Sequence, residues 1–248
     1  MTTTANKMGP LSVGDGIVTS CASWSFGGAV AQTFEQHVVR SVPSYTLGHD
    51  IVLQLSDFFV RQDSLCYEIG TSTGTLISAL ASRHKGSGKW IGIDIEPSMI
   101  DYAQTRAHPP FEPAISLGFE VANACDYAYA NCDLIVAYYT VQFITPRTRQ
   151  MLFNSLYQAL NWGGALIMFE KVRAPDARFQ DICTALYQDF KLNNEFSPAE
   201  IMAKANSLRG VLEPFSSKAN VELLERAGFS DIMTIHKHIC FEGFLAIK

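Results

Sequence analysis

The sequence predicts a doubly wound α/β domain, a mostly parallel sheet with helices on both faces, and three observations point there. From residue 64 onward, short apolar runs of strand type alternate with runs of helical spacing. The first of these strands closes on a glycine turn, Glu68-Ile-Gly-Thr-Ser-Thr-Gly74. The C-terminal stretch from Val221 reads as a helix ended at Gly228 and then two strands joined by a tight hairpin, which adds an antiparallel edge to a parallel sheet. With 248 residues, 48% of them apolar, the chain has the length of one such domain and can bury its core.

Each element has its own reason. SLCYEIG (64–70) is a buried-type strand entering the turn, and 75–85 follows with helical spacing. KWIGIDI (89–95) is a second buried strand, and Pro97 opens the next helix at a position where its missing N–H costs nothing. FEVANA (119–124) is strand-like, and CDLIVAYY (132–139) is the most β-branched and aromatic run of the chain. An amphipathic helix over 147–160 stops at Asn161-Trp-Gly-Gly164, before the strand ALIMFEK (165–171). Strands separated by such helices imply right-handed crossovers and a parallel sheet. Two segments fall outside the alternation, 1–60 with a helical stretch and 172–215 with helical patterns around 176–193 and 197–210. Both are expected to cover the active-site edge of a single domain.

Composition excludes several functions. The net charge of −5 is spread without a basic stripe, so nucleic acid is not an expected partner. The first sixteen residues lack the basic flank and apolar core of a secretory leader, no stretch approaches the ~18 apolar residues of a membrane span, and a cytoplasmic location is expected. Six scattered cysteines form no C-x-x-C pair, and His236 and His238 merely share a strand face, so no metal site is expected.

The chemistry sits at the turn. Glycine there lets backbone approach a ligand at the carboxyl edge of the sheet, and Asp94, about twenty residues on, ends the next strand where a carboxylate accepts both hydroxyls of a ribose. The spacing is G-x-x-x-G rather than the G-x-G-x-x-G that cradles a pyrophosphate, which favours a nucleoside without phosphates such as S-adenosylmethionine. The same turn spells G-x-S-x-G around Ser72, but a hydrolase elbow follows several strands and this one follows the first.

Further matches run in order along the chain: Trp24-Ser-Phe26, Phe34, Arg40-Ser-Val-Pro-Ser-Tyr45, Ile93-Asp94, Pro97-Ser-Met-Ile100, Thr140-Val-Gln-Phe143, Gly163-Gly-Ala-Leu166, Glu170-Lys171 and Asp189-Phe-Lys191. Together with the turn they resemble the carboxy-S-adenosylmethionine synthases of tRNA wobble-uridine modification, within the class I methyltransferases, over roughly residues 24–248. The resemblance implies a homodimer-prone class I fold with a seven-stranded sheet that binds S-adenosylmethionine. It places Tyr45 and the turn residues Glu68, Gly70, Thr71, Ser72 and Gly74 at the methionine end, Asp94 on the ribose and Ile95 on the adenine. Met99 and Ala124 join the cofactor contacts, and Asn123 falls where the family has an adenine-contacting Asp.

Two departures stand out. Where the family has an Asn that contacts the methionyl part of the cofactor, this chain has Tyr138, followed by Tyr139. The arginine that clamps the family's extra carboxylate falls on Ala205, with Lys204 and Arg209 close by. A buried anion without its guanidinium is disfavoured, which points away from carboxylated adenosylmethionine. An aromatic cluster remains as the expected catalytic set around the sulfonium: Tyr138, Tyr139, Trp24, Phe26 and Tyr187. The expected reaction is methyl transfer to a small apolar or aromatic metabolite, with His37, Asp189 and Glu170 as candidates for a general base. The alternative is intramolecular cyclisation of the cofactor to azetidine-2-carboxylate and methylthioadenosine, a reaction of natural-product pathways, ahead of carboxy-S-adenosylmethionine synthesis.

Overall fold

A computed structural model describes residues 11–28, 30–106 and 116–248. The first ten residues, part of the segment read as lacking a leader, lie outside them. A ribbon of β1 (Leu11–Ser12) and β2 (Val18–Thr19) precedes α1 (Val30–Ser41) and α2 (Tyr45–Ser56). The alternating core follows: β3 (Leu65–Ile69), α3 (Thr75–Arg83), β4 (Lys89–Asp94), α4 (Pro97–Arg106), β5 (Ser116–Val121), β6 (Cys132–Tyr138), the 3-10 turn Val141–Phe143, α5 (Pro146–Ala159) and β7 (Leu160–Lys171). Then come α6 (Ala177–Asn193), α7 (Pro198–Ser207), α8 (Ser217–Ala227), β8 (Asp231–His238) and β9 (Phe241–Ile247).

The seven-stranded sheet has the order β5-β4-β3-β6-β7-β9-β8. Strands β3 to β7 pair in parallel, and β9 runs antiparallel between β7 and β8. Central strands covered on both faces carry continuous apolar runs, and β6 is buried at six of its seven positions accordingly. No helix among the described residues is long and apolar enough to cross a membrane.

Three boundaries differ from the sequence reading. Strand β5 ends at Val121, because Asn123 Oδ1 accepts from Cys125 N (3.0 Å) and folds the chain into a turn. Asn123 and Ala124 therefore belong to a loop. Strand β7 begins at Leu160 and passes through Trp162-Gly163-Gly164 with a register irregularity opposite Cys132/Leu134, so the glycines bend a strand instead of ending a helix. The N-terminal cover holds two helices, divided at Pro43-Ser44, where Ser44 takes a left-handed φ of 57°.

Helix α2 packs on the sheet through Gly48. A Cβ there would collide with the Tyr138 hydroxyl, so the missing side chain is the space that the tyrosine fills. The ribbon docks on the other cover, with Ala22 N and Trp24 N donating to Asn206 O and Ser207 O at the end of α7. Val13, Ile17, Trp24 and Ala203 form a small core of their own there.

Candidate active site

Strands β3, β4 and β6 end at one edge of the sheet, and the turn after β3 shapes it. Gly70, Ser72 and Gly74 all take left-handed φ, of 68°, 50° and 73°. At Gly70 a side chain would strike that of Thr140, whose hydroxyl donates to Ile69 O at 2.9 Å. Gly74 caps α3 and packs against Phe119; unlike the other turn residues expected at the cofactor, it stands back from the cavity.

Asp94 is fixed from two sides: Ser72 N donates to Oδ2 (2.8 Å) and Glu96 N to Oδ1 (2.9 Å). Burial raises its pKa and the backbone donors oppose that rise. Glu68 Oε2 accepts from Thr71 Oγ1 (2.7 Å) and Ile77 N (3.1 Å), and its burial pushes the carboxyl up to about 8 against both hydrogen bonds. The folded state thus keeps this proton above the ordinary carboxylate range, where the unfolded chain has lost it, so it binds more protons and stability falls as pH rises towards 8. Glu68→Gln is expected to lose less stability than the unsubstituted protein between pH 5 and 8, read from urea midpoints at both ends.

Past the turn lies a cavity of about 1140 Å³. Asp94, Ile95, Met99, Asn123 and Ala124 line it beside the ends of β4 and β5, and Tyr45, Gly70, Thr71 and Ser72 line it as well. Trp24, Phe26, Tyr139 and Tyr187 also line it. The two tyrosines expected together at the sulfonium both line the cavity, with ring centroids 4.8 Å apart, and differ in their hydroxyls. Tyr138 lines the cavity but turns its hydroxyl to Tyr45 O (2.6 Å) and packs its ring against His49 and Phe169, 7% exposed. Tyr139 sits at a left-handed φ of 59° with its amide on Phe169 O (2.8 Å), and its buried hydroxyl has no partner among the described residues. A bulky residue held in that conformation is a mark of functional sites.

The feature that the sequence did not disclose is a set of three lysines. Lys171 Nζ and Lys191 Nζ lie over the Tyr187 ring at 4.3 and 4.2 Å, and Lys204 Nζ lies over the Trp24 ring. All three line the cavity, and among the described residues none has a carboxylate within ion-pair reach. Burial, then mutual repulsion, lowers Lys191 to about 8 and Lys204 to about 6. They come from β7, α6 and α7, so no local periodicity announces them. Of the candidate bases, Asp189 is exposed and outside the cavity, and Glu170 is buried with Oε1 accepting from Val141 N at 2.9 Å. His37 alone of the three lines the cavity.

The fold is shared with known enzymes. The magnesium protoporphyrin IX methyltransferase of Synechocystis PCC 6803, solved with bound SAH, superposes with a TM-score of 0.63 at 12% identity, covering 90% of this chain and 96% of that one. Human N-acetylserotonin methyltransferase, solved with SAM, gives 0.58 at 18% identity; 88% of this chain covers 55% of that longer one. A methyltransferase domain family matches residues 67–164. The chain is thus an S-adenosylmethionine-dependent enzyme of the class I methyltransferase superfamily. Among curated proteins it is 36% identical over 226 residues to the carboxy-S-adenosyl-L-methionine synthase of Staphylococcus epidermidis, covering 91% of this chain and 97% of that protein. It is 35% identical over 225 residues to that of Campylobacter jejuni, covering 91% and 94%. It belongs to the carboxy-S-adenosyl-L-methionine synthase family.

Proposed function

We propose that this enzyme transfers the methyl group of S-adenosylmethionine to a small metabolite that carries a carboxylate and an apolar or aromatic body. The observation that carries this reading is the cavity: at about 1140 Å³ it exceeds the ~300–1,000 Å³ of a typical single-ligand pocket. Its lining includes three lysines without carboxylate partners among the described residues, set among aromatic rings. Lys191, lowered only to about 8, keeps its charge at pH 7, and an unpaired charge in a cavity calls for an anionic occupant.

The wall beside the end of β4 fits the cofactor. Asp94 is anchored by two backbone N–H groups with lone pairs left for two ribose hydroxyls, and the Gly70 turn leaves space for the methionine end. Ile95, Met99, Asn123 and Ala124 surround the adenine. When bound, the cofactor supplies an activated alkyl group on a sulfonium. The enzyme's part is to align that group with a nucleophile and to exclude water. Trp24, Phe26 and Tyr139 form the aromatic wall against the cation, and the free Tyr139 hydroxyl donates to a ligand carboxylate.

A second reading has its own support. The Tyr138 hydroxyl, committed to Tyr45 O, does not hold the methionyl amine, which is then free to attack its own γ-carbon and close a four-membered ring.

Mass spectrometry of purified protein incubated with adenosylmethionine, alone and with a panel of small aromatic and aliphatic carboxylates, tests both. S-adenosylhomocysteine with a methylated carboxylate is the expected result. Methylthioadenosine with azetidine-2-carboxylate from the cofactor alone establishes the second reading. An adenosylmethionine heavier by one carboxyl group overturns both and assigns the chemistry that the relatives are named for.

A further inference from the structure

The N-terminal cover contributes a buried pair whose order suits proton transfer. Asp15 stands at the tip of the β1–β2 ribbon, at a left-handed φ of 53°. Its Oδ2 lies 2.8 Å from His37 Nδ1 and its Oδ1 accepts from Arg40 Nη1 at 2.5 Å, with the aspartate and histidine side chains 3% and 6% exposed. The guanidinium is itself tied down, donating from Nε (3.1 Å) and Nη2 (2.8 Å) to Asn194 O. A carboxylate in this position accepts from Nδ1–H, which fixes the tautomer by the hydrogen-bond network and leaves Nε2 with a lone pair. Nε2 faces Ser41 Oγ at 3.4 Å, and both residues line the cavity. Trp24 stacks on the imidazole at 5.9 Å and Phe196 meets it edge-on, so the ring has one orientation.

We propose that His37 is the proton acceptor of the alkyl transfer and that Asp15 is its positioning residue, the nucleophile being a hydroxyl or amine presented in the cavity. This rests on the transferase reading above. In the step, a lone pair of the nucleophile forms the bond to the transferred carbon while the carbon–sulfur bond breaks, its electrons staying on sulfur as a neutral thioether. The proton of the nucleophile passes to His37 Nε2, the imidazolium is held against Asp15, and the proton then leaves to water. One positive charge enters on sulfur and one leaves as the proton.

The charged groups facing His37 are Asp15, Arg40 and Lys204. Burial, reinforced by Lys204, lowers the imidazole to about 4 while Asp15 opposes the fall. The base is therefore neutral and ready at pH 7. A low value is no obstacle for a hydroxyl nucleophile, because an oxygen that gains an alkyl group becomes strongly acidic as the bond forms.

The test uses the full chain with adenosylmethionine, alone and with the carboxylate panel, in the wild type, His37→Ala, His37→Gln, Asp15→Asn and Asp15→Glu. His37→Ala is expected to lower kcat roughly 10²–10⁴-fold with the calorimetric Kd for adenosylmethionine unchanged, and added imidazole restores part of the rate. His37→Gln, which keeps the packing, shows the same loss. Asp15→Asn lowers kcat at constant Kd, and Asp15→Glu recovers it. Independently of turnover, ¹⁵N NMR of the wild type at pH 7 shows a neutral His37 protonated on Nδ1, a preference lost in Asp15→Asn. Rates within about threefold of wild type in both His37 variants, or a His37 protonated on Nε2, overturn the proposal alone. A wild type that consumes no adenosylmethionine in any mixture overturns the transferase reading and this proposal with it.

Discussion

Asp94→Ala is expected to weaken adenosylmethionine binding at least tenfold, about 1.4 kcal/mol, by isothermal calorimetry. The carboxylate accepts from Ser72 N and Glu96 N and so also holds the turn that shapes the pocket. Asp94→Asn separates the two roles, since an amide oxygen can still accept from one backbone N–H but no longer offers four lone pairs. It should lower the melting temperature less than Asp94→Ala does and still lose affinity. Wild-type affinity in Asp94→Ala would remove the ribose from this end of the cavity and reverse the direction in which the ligand lies.

The second large effect concerns stability. Tyr138→Ala removes a 7%-exposed aromatic ring from between α2 and β7 and is expected to cost about 3–5 kcal/mol of folding free energy, as for other buried aromatics truncated to alanine. Tyr138→Phe keeps the ring and deletes only the donor to Tyr45 O, a loss of about 1 kcal/mol. Urea denaturation measures both. Turnover of the phenylalanine variant should stay near wild type. A tenfold fall in kcat there, with stability intact, would give the Tyr138 hydroxyl a part in the reaction.

Much of the fold was legible because parallel strands buried on both faces leave mostly apolar runs, as in Leu65–Ile69 and Cys132–Tyr138, each with a single carboxylate, and because the hairpin at the C-terminus has its own pattern. The turn and Asp94 were legible because glycine and carboxylate occupy fixed places relative to a strand end. Boundaries slipped where a side chain competes with the ladder, as Asn123 does after β5. The site was less legible for two reasons. Tyr138 and Tyr139 both line the cavity with ring centroids 4.8 Å apart, and nothing local says which hydroxyl is left for a ligand. The lysine set and the Asp15–His37 pair assemble from distant segments, and Asp15 reaches His37 only because the ribbon tip turns through a left-handed residue.

The fit of Tyr138 into the space over Gly48 ties two distant positions into one unit of change. A chain that gained the tyrosine first would have forced α2 off the sheet, and one that gained the glycine first would have carried a void, so each change makes the other acceptable. The same dependence governs any smaller residue at 138, asparagine included. Made alone it leaves a hollow beneath α2, and libraries that vary 48 together with 138 are the route to well-packed variants.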